Sequence, residues 1–285
     1  MRVPATIISG YLGAGKTTLI NRLLAEDHRL KLTVIVNDFG AINIDDALIQ
    51  DSSGGKLALS NGCVCCSIED DLAVALGDIL DRDTRPDHVV IEASGIADPV
   101  AIANTVLSEP RLSYGGIVTL VDALNADTLL SDPLLADQAS QQIRAADLVI
   151  ASKCETISEP LEALLSQVGA RAPTVLGPAP VAELVFGLLP MPKGRASAAH
   201  PAYTSWQHRS TEILDRRALG DKLADRPPGL YRMKGFVLTT GGAYELHVVG
   251  RHVEAKRCDA QETVLVALGP ADRVSRDDIE AWWTA

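Results

Sequence analysis

The stretch GCVCCS, residues 62–67, places three of the chain's five cysteines within four positions: Cys63, Cys65 and Cys66. Thiols at this spacing could bind a metal ion, form a redox pair or pack in a core. A Cys-x-Cys or vicinal pair has poor geometry for an ordinary disulfide, and core packing explains one cysteine better than three. The pattern therefore favours a thiolate site for Zn²⁺, Co²⁺ or another divalent transition metal, with an open position that would make the ion transferable.

The cysteines come directly before a predicted helix. Ser67 and Asp70, three residues later, resemble a capping box, with acidic residues in the first turn. A helix N-terminus favours the thiolate over the thiol, whereas the neighbouring carboxylates oppose it. In an extended stretch Cys66 would face away from Cys63 and Cys65, so we expect a bend where the helix begins.

Residues 10–17, GYLGAGKT, fit the phosphate-loop pattern G-x-x-x-x-G-K-[ST], between an apolar strand-like run and an amphipathic helix. The glycines let backbone N–H groups face the phosphates. Lys16 would reach the β- and γ-phosphates, and the Thr17 hydroxyl would ligate Mg²⁺. The predicted nucleotide contacts of this segment are Gly10, Gly13, Ala14, Gly15, Lys16, Thr17 and Thr18.

Two further buried strands end on acidic residues. LTVIVNDFG ends at Asn37 and Asp38, and HVVIEASG ends at Glu92, with Gly95 three residues on. P-loop enzymes use an acid in this position to hold Mg²⁺ or its water, and a glycine at this spacing can sense the γ-phosphate. The predicted catalytic residues are therefore Lys16, Asp38, Glu92 and Gly95.

Ser152-Lys153-Cys154-Glu155, at the end of the strand ADLVIAS, resembles the guanine-recognition signature [NST]-K-x-D. A carboxylate at the last position accepts two hydrogen bonds from guanine that adenine cannot offer. Glu155 carries the same head group as Asp on a longer stem. We therefore predict base recognition by Ser152, Lys153 and Glu155, with a surface turn as the alternative.

The alternation of strands and helices, including a helix near 137–145, indicates an α/β fold: a P-loop NTPase with a mainly parallel sheet and helices on both faces. The predicted domains are a GTPase domain with the cysteine motif over 1–190, a linker over 191–202 and a small α+β domain over 203–285. In the last domain we predict helices at 215–224 and 275–283. His247, His252 and Cys258 fit half-exposed strand residues and a buried thiol better than a second metal site.

Charge and hydropathy bound the function. A net charge of −11 argues against a nucleic-acid partner, because binding to phosphate backbones relies on Lys and Arg. The apolar runs have the length of strands, and none reaches the roughly 18 residues of a membrane span. The N-terminal segment lacks the long apolar stretch of a secretory signal. We expect a cytoplasmic protein without a membrane partner.

Taken in order, the phosphate loop, NDFG, GCVCC, EASG and SKCE resemble the motifs of CobW-type P-loop GTPase metal chaperones, a group similar to the urease and hydrogenase maturation GTPases. The resemblance covers residues 1 to about 190 and extends to the end through YRMKGFVL and HVVGR. It implies GTP hydrolysis with Mg²⁺ and delivery of Zn²⁺ or a related ion to a metal-requiring client, by a monomer or homodimer. The residues it implicates are Gly13, Gly15, Lys16, Thr17, Cys63, Cys65, Cys66, Lys153 and Glu155.

The chain departs from the pattern of that family at two places. The family usually has N-E-F-G-E, whereas Asp38 and Ala41 stand at the two acidic positions here. In the family these two acids are candidates for positioning the attacking water or for binding an auxiliary metal ion. Their replacement here therefore bears on the rate of hydrolysis and on whether a second metal site exists. The six histidines are scattered, and no His-rich tract separates the domains.

Two other classes of function fit parts of the sequence. A small-molecule kinase or ATPase would use the same phosphate loop, but it usually carries an Arg-rich lid, and the segment DRDTRPD is short and mixed in charge. A slowly hydrolysing nucleotide-dependent regulator with a structural metal site would fit the substituted acidic positions. A fourth protein ligand to the metal would favour a structural site.

Overall fold

The computed structural model describes residues 2–36, 56–58, 68–177, 180–187 and 203–285. The chain divides into two compact units, Met1–Phe186 and Gly187–Ala285. Among the described residues, no helix has both the length and the apolar character needed to cross a membrane.

The first unit is built on a seven-stranded sheet in the order β3-β2-β4-β1-β5-β6-β7, and its neighbouring strands pair in parallel. Its strands are β1 (Val3–Ser9), β2 (Leu32–Val36), β3 (Lys56–Ala58), β4 (His88–Glu92), β5 (Leu112–Asp122), β6 (Leu148–Ser152) and β7 (Thr174–Val175). Its described helices are α1 (Lys16–Ala25), α2 (Ile68–Leu80), α3 (Pro99–Ser108), α4 (Ala126–Ser131), α5 (Ala136–Ala145), α6 (Glu159–Gln167) and α7 (Ala182–Phe186).

Continuous apolar runs account for the parallel sheet. Every residue of β2 and β4 is buried, so both faces of the sheet are covered at these strands. Strands covered on both faces are typical of a parallel sheet whose crossover connections are helices. The predicted fold class is confirmed for this unit.

The strand register brings the carboxyl ends of the strands to one edge of the sheet. Ile8 of β1 pairs with Glu92 of β4 and with Val118 of β5. Val36 of β2 pairs with Glu92 on one side and with Ala58 of β3 on the other. The loops that follow β1, β2, β3 and β4 therefore leave the sheet from one row, whereas β5 continues past this row to Asp122. The carboxyl edge of the strands is the usual place for a ligand in an open α/β sheet.

The second unit is an antiparallel sheet covered by two helices. Its strands, in the order β11-β10-β9-β12-β8, are β8 (Tyr203–Ser210), β9 (Arg232–Thr239), β10 (Gly242–Val249), β11 (His252–Arg257) and β12 (Thr263–Pro270). Helices α8 (Arg216–Ala224) and α9 (Arg276–Thr284) begin within one residue of their predicted starts. Trp206, Met233, Leu265 and Ile279 are fully buried in its core. The α+β prediction is confirmed for this unit.

Two strands of the first unit are joined by a buried carboxylate. Asp147, just before β6, accepts a hydrogen bond from the Tyr114 hydroxyl and another from the Ile117 backbone N–H at 3.0 Å, both on β5. The carboxylate is buried, with 9% of the residue exposed. It therefore satisfies a backbone donor on a neighbouring strand that water does not reach freely.

We expect Asp147→Ala to lower the free energy of unfolding of the first unit by about 2–3 kcal/mol, because a buried N–H loses its acceptor. Tyr114→Phe, which removes one hydrogen bond and keeps the backbone pair, should cost about 1 kcal/mol. Urea unfolding followed by far-UV circular dichroism measures both values. Equal losses for the two variants would show that the backbone donor does not depend on this carboxylate.

His247 lies in the middle of the second sheet among charged neighbours. On β10 it pairs with Lys234 of β9 and with Glu254 of β11. Burial, followed by the nearby charge of Arg232, lowers the pKa of His247 from 6.5 to about 4. Lys234 and His252 act in the same direction on this pKa, whereas Glu254 opposes them. The imidazole therefore stays neutral in the folded unit at pH values where the unfolded chain would protonate it.

The stability that His247 contributes is present above pH 6.5 and is lost as the pH falls toward 4, since only the unfolded chain then takes up the proton. Between pH 7 and pH 5 we expect the second unit to lose about 2 kcal/mol through this group. His247→Gln should remove that loss, whereas His252→Gln should keep most of it. Tryptophan fluorescence during urea unfolding measures the stability of the second unit, because the chain's three tryptophans, Trp206, Trp282 and Trp283, all lie in that unit. The same pH dependence in His247→Gln would contradict the assignment.

Candidate nucleotide-binding site

The loop between β1 and α1 has the backbone of a phosphate loop. Gly10, Gly13 and Gly15 all have positive φ angles, of 136°, 74° and 98°. A Cβ at Gly10 would lie 2.4 Å from the carbonyl oxygen of Leu120 on β5, so only glycine fits there. Helix α1 begins directly after Gly15. Its first N–H groups and its dipole make this end of the helix suitable for an anion.

The Lys16 side chain lies across this loop. Its ammonium donates to the Gly10 carbonyl at 2.9 Å and to the Tyr11 carbonyl at 3.4 Å, and only 9% of the residue is exposed. The charge is thus held at the loop, as the predicted role in phosphate binding requires. Thr18 lies in the first turn of α1 and is exposed, whereas Ala14 is buried.

The structure brings two predicted magnesium-site residues together across 75 positions of sequence. The Thr17 hydroxyl donates to the Glu92 carboxylate at 3.2 Å. Glu92 ends β4 and is 3% exposed, and β4 is the direct neighbour of β1. A hydroxyl and a buried carboxylate at the mouth of a phosphate loop supply the oxygen donors that Mg²⁺ takes in proteins. These residues fit that ion.

The loop after β4 packs against the phosphate loop. A Cβ added to Gly95 would lie 2.7 Å from the Leu12 side chain and 2.8 Å from the Leu12 backbone nitrogen. Such a distance is too short for any side chain. Gly95, the predicted sensor of the γ-phosphate, therefore packs directly against the backbone of the phosphate loop.

The predicted base-recognition segment is tied to the phosphate loop. The Ser152 hydroxyl donates a hydrogen bond to the Ala14 carbonyl at 2.7 Å. The Val121 carbonyl lies 3.2 Å from the same hydroxyl oxygen. Lys153 has a φ of 60°, and its ammonium pairs with Asp122 at 2.6 Å. Glu155 is exposed beyond them. The segment leaves β6 at the same edge of the sheet as the phosphate loop leaves β1.

Asp122 belongs to this site and was missed by the sequence reasoning. Burial acts to raise its pKa, but the hydrogen bonds from Lys153, Asn125 and the Leu124 N–H outweigh burial and lower it. The charged carboxylate therefore holds Lys153 in place. The sequence pattern that could have identified Asp122 is the one that identified Glu92. Each is an acidic residue at the end of a buried apolar run, which for Asp122 is GGIVTLVDA.

Gln142 on α5 is a second residue that the sequence reasoning missed. Its side-chain amide donates to the carbonyls of Gly95 and Ala97, both at 3.1 Å, and the residue is 2% exposed. Gln142 also lines a cavity of about 250 Å³ together with Leu12 and Asp122. The cavity lies beside the phosphate loop rather than at its phosphate-binding face, because Lys16 and Thr17 do not line it.

The predicted metal ligands Cys63, Cys65 and Cys66 lie outside the described residues, as does Asp38. The described elements that flank the cysteines are β3, which ends at Ala58, and α2. Within the described ranges, no three His, Cys, Asp or Glu side chains come together in a way that could hold a metal ion. His247, His252 and Cys258 thus form no such group. Burial, followed by the charge of Asp122, raises the pKa of the Cys154 thiol.

A glycine-rich loop with Lys16 across it, next to a hydroxyl of the following helix and a buried carboxylate at the end of the adjacent parallel strand, defines a P-loop nucleotide-binding protein. Residues 4–181 match the family described as "CobW/HypB/UreG, nucleotide-binding domain", and residues 203–283 match "Cobalamin synthesis protein cobW C-terminal domain". The chain belongs to the CobW/HypB/UreG family, which confirms the family resemblance predicted from the motifs.

Similar proteins carry names from metal delivery. The zinc chaperone YjiA of Escherichia coli is 38% identical over 181 residues, which cover 60% of this chain and 56% of that protein. The zinc-regulated GTPase metalloprotein activator 1 of Schizosaccharomyces pombe is 37% identical over 166 residues, which cover 55% of this chain and 40% of that protein. The chain thus matches only about half the length of these relatives.

Solved structures superpose on the chain as well. A Zn(II)-bound triple mutant of the YjiA GTPase matches with a TM-score of 0.48 and 23% identity, covering 100% of this chain and 98% of that one. HypB from Helicobacter pylori, in complex with nickel, matches with a TM-score of 0.44 and 15% identity, covering 61% of this chain and 78% of that one.

We expect Gly95→Ala to weaken binding of both GDP and a non-hydrolysable GTP analogue by about tenfold or more, since the new methyl group would push the phosphate loop away. Gly77→Ala on α2 is the matched control, because a Cβ there meets nothing within 4 Å. Isothermal titration calorimetry measures the affinities. Wild-type affinity in Gly95→Ala would mean that the two loops move apart without cost.

Proposed function

We propose that this protein is a GTP-hydrolysing metallochaperone that binds Zn²⁺ or a related divalent ion at Cys63, Cys65 and Cys66. Nucleotide state would control transfer of the ion to a metal-requiring client protein. The observation that carries the proposal is the contact of Thr17 with Glu92 at 3.2 Å beside the phosphate loop. That contact brings a hydroxyl of α1 to a carboxylate of β4, and these are the groups that a hydrolytic P-loop site would use to hold Mg²⁺.

The nucleotide chemistry follows from what each side chain offers. Lys16 would exchange its carbonyl partners in the loop for oxygens of the β- and γ-phosphates. Thr17 and Glu92 would hold Mg²⁺, which when bound neutralises charge on the phosphates. Gly95, packed on Leu12, would present its N–H to the γ-phosphate. Asp38 is proposed to position the attacking water.

Guanine recognition is proposed for the segment after β6. The tether from Ser152 to Ala14 supports it, because the base and the phosphates of one nucleotide must be bound by loops of fixed separation. Asp122 holds Lys153 by an ion pair, so the Lys153 stem is available to lie along the base. Glu155 would accept hydrogen bonds from the guanine N1–H and N2–H₂ groups.

The place of the cysteine motif in the chain supports a link between metal and nucleotide. Ala58, the last residue of β3, pairs with Val36, and Val36 pairs with Glu92. Ala58 is therefore two strand spacings, about 10 Å, from the Glu92 strand end. Cys63 follows Ala58 by only five residues. This short distance along the sequence supports a link between the motif and the loops that would respond to the γ-phosphate.

The metal itself is proposed from ligand chemistry and from relatives. Three thiolates suit Zn²⁺ and leave one position for water or for an incoming ligand from a client. The relatives named zinc chaperone YjiA and zinc-regulated GTPase metalloprotein activator 1 agree with that choice. Because thiolates also accept Co²⁺, Ni²⁺ and Cu²⁺, availability in the cell would decide among them.

We expect the reduced protein to bind Co²⁺ with the intense thiolate-to-metal charge-transfer bands of a tetrahedral site, and to lose the bands on adding Zn²⁺. Cys65→Ser should abolish the bands. Cys154→Ser is the matched control and should keep them, because burial raises the pKa of this thiol and the residue lies outside the motif. With Mg²⁺ present, a non-hydrolysable GTP analogue should change the Co²⁺ affinity, whereas an ATP analogue should not.

Three outcomes would contradict parts of the proposal. Thiolate bands that persist in Cys65→Ser would move the metal away from the motif. An equal Co²⁺ affinity with and without the GTP analogue would contradict nucleotide control and favour a structural metal site. A response to the ATP analogue alone would replace GTP with ATP and place the protein among P-loop ATPases or kinases.

A further inference from the structure

The loop between β4 and α3 is held by side chains from a single helix. Three glutamines of α5 reach it: Gln138 donates to the Ile96 carbonyl at 2.6 Å, Gln141 to the Asp98 carboxylate at 3.3 Å, and Gln142 to two carbonyls. Gln141 is exposed and Gln138 is half-buried, whereas Gln142 is 2% exposed. Of these contacts, those of Gln142 are the ones shielded from competition with water.

Gln142 holds the part of the loop that follows the predicted phosphate sensor. Its amide donates to the Gly95 and Ala97 carbonyls, and the Ala97 N–H bonds back to the Ser94 carbonyl at 3.1 Å. The turn over residues 94–97 is thus closed on itself and fixed from outside at two of its peptide groups. Rotation of the turn would break both bonds to Gln142 at once.

The same residue is anchored to the sheet. The Gln142 backbone carbonyl accepts a hydrogen bond from the Thr119 hydroxyl of β5 at 3.2 Å. Helix α5 then leads through Ala146 into β6, whose last residue, Ser152, bonds to Ala14 of the phosphate loop. Hydrogen bonds and chain connectivity therefore link the turn at Gly95 with the segment predicted to read the base.

We infer that Gln142 is a positioning residue for nucleotide hydrolysis, which sets the orientation of the Gly95 turn toward the γ-phosphate. The inference rests on the proposed function, because it assumes that GTP occupies the phosphate loop. Gln142 touches neither the phosphates nor the attacking water in this assignment. It acts through the Gly95 and Ala97 carbonyls, whose hydrogen bonds to the Gln142 amide fix the orientation of the turn.

The donor chemistry makes the inference specific. Two carbonyl oxygens face the Gln142 side chain, so it must supply N–H groups. An ionised glutamate has nearly the same shape but only accepts hydrogen bonds. Gln142→Glu would therefore set a carboxylate against two carbonyls, while Gln142→Met would remove the bonds and keep the volume.

The test compares affinity and turnover in the whole 285-residue chain. We expect Gln142→Glu and Gln142→Met to lower the ratio of GTP-analogue affinity to GDP affinity by about tenfold, because the γ-phosphate alone distinguishes the two ligands. The kcat for GTP should fall by a similar factor, with a smaller change in GDP affinity. Gln167→Glu and Gln167→Met, at an exposed position on α6 outside this loop, should leave the ratio and kcat near wild type.

Each outcome separates the inference from the proposed function. Loss of GDP and GTP-analogue affinity by equal factors in both Gln142 variants would show a merely structural role and overturn the inference. Wild-type ratios and kcat in Gln142→Met would overturn it as well, and this variant keeps the volume if Gln142→Glu fails to fold. A wild-type protein that binds no GTP would instead sink the proposed function, before any variant is compared.

Discussion

The first unit depends on one constraint: its parallel strands all end at one edge of the sheet. Ile8, Glu92 and Val36 are register partners across three adjacent strands, whereas β5 and β6 run four residues further, to the paired Asp122 and Ser152. Because these strands run in one direction, the phosphate loop, the turn at Gly95 and the base-recognition segment leave the sheet from the same edge. Hydrogen bonding in the sheet thus sets the separation of the site residues before any side chain contributes.

The loops of the site are then adjusted by close backbone contacts and by buried polar side chains. Glycine at positions 10 and 95 lets one loop touch the next strand or loop without a Cβ between them. Gln142 and Ser152 bind backbone carbonyls rather than other side chains. A side chain that bonds to a carbonyl fixes the course of the main chain, so these contacts control where backbone N–H groups point. In a phosphate site those N–H groups are the ligands.

The described structure also separates thiols by environment. Burial raises the pKa of both Cys154 and Cys258, and nearby carboxylates add to the effect in each case. A raised thiol pKa makes deprotonation to the thiolate harder at these two positions. In the sequence, Cys63, Cys65 and Cys66 precede a helix that begins at Ile68, whose N-terminus favours thiolates, whereas the neighbouring carboxylates oppose them. The metal site at the motif therefore stays a prediction from its residue types and spacing.

Local patterns were enough to predict part of the elements of the fold. The continuous apolar runs of β4 and β5 and the glycines before α1 each depend on residues a few positions apart. The helix predicted near 137–145 is observed as Ala136–Ala145. The stretch AYELHVVGRHVEAKR forms two strands that turn at Gly250, with a φ of 52°. The cysteine motif and Asp38 stay sequence predictions, outside the described residues.

The sequence by itself determined the chemical types at the strand ends: the phosphate loop, an acid after β4 and a Lys after β6. Only the tertiary structure decided which of them meet. The contacts of Thr17 with Glu92, of Ser152 with Ala14 and of Gln142 with Gly95 join residues that are 75, 138 and 47 positions apart. Sequence spacing carries no information on such contacts, since the sheet order β3-β2-β4-β1-β5-β6-β7 differs from the chain order. That order reflects how the helices and strands pack together, a property of the whole folded unit rather than of any one segment.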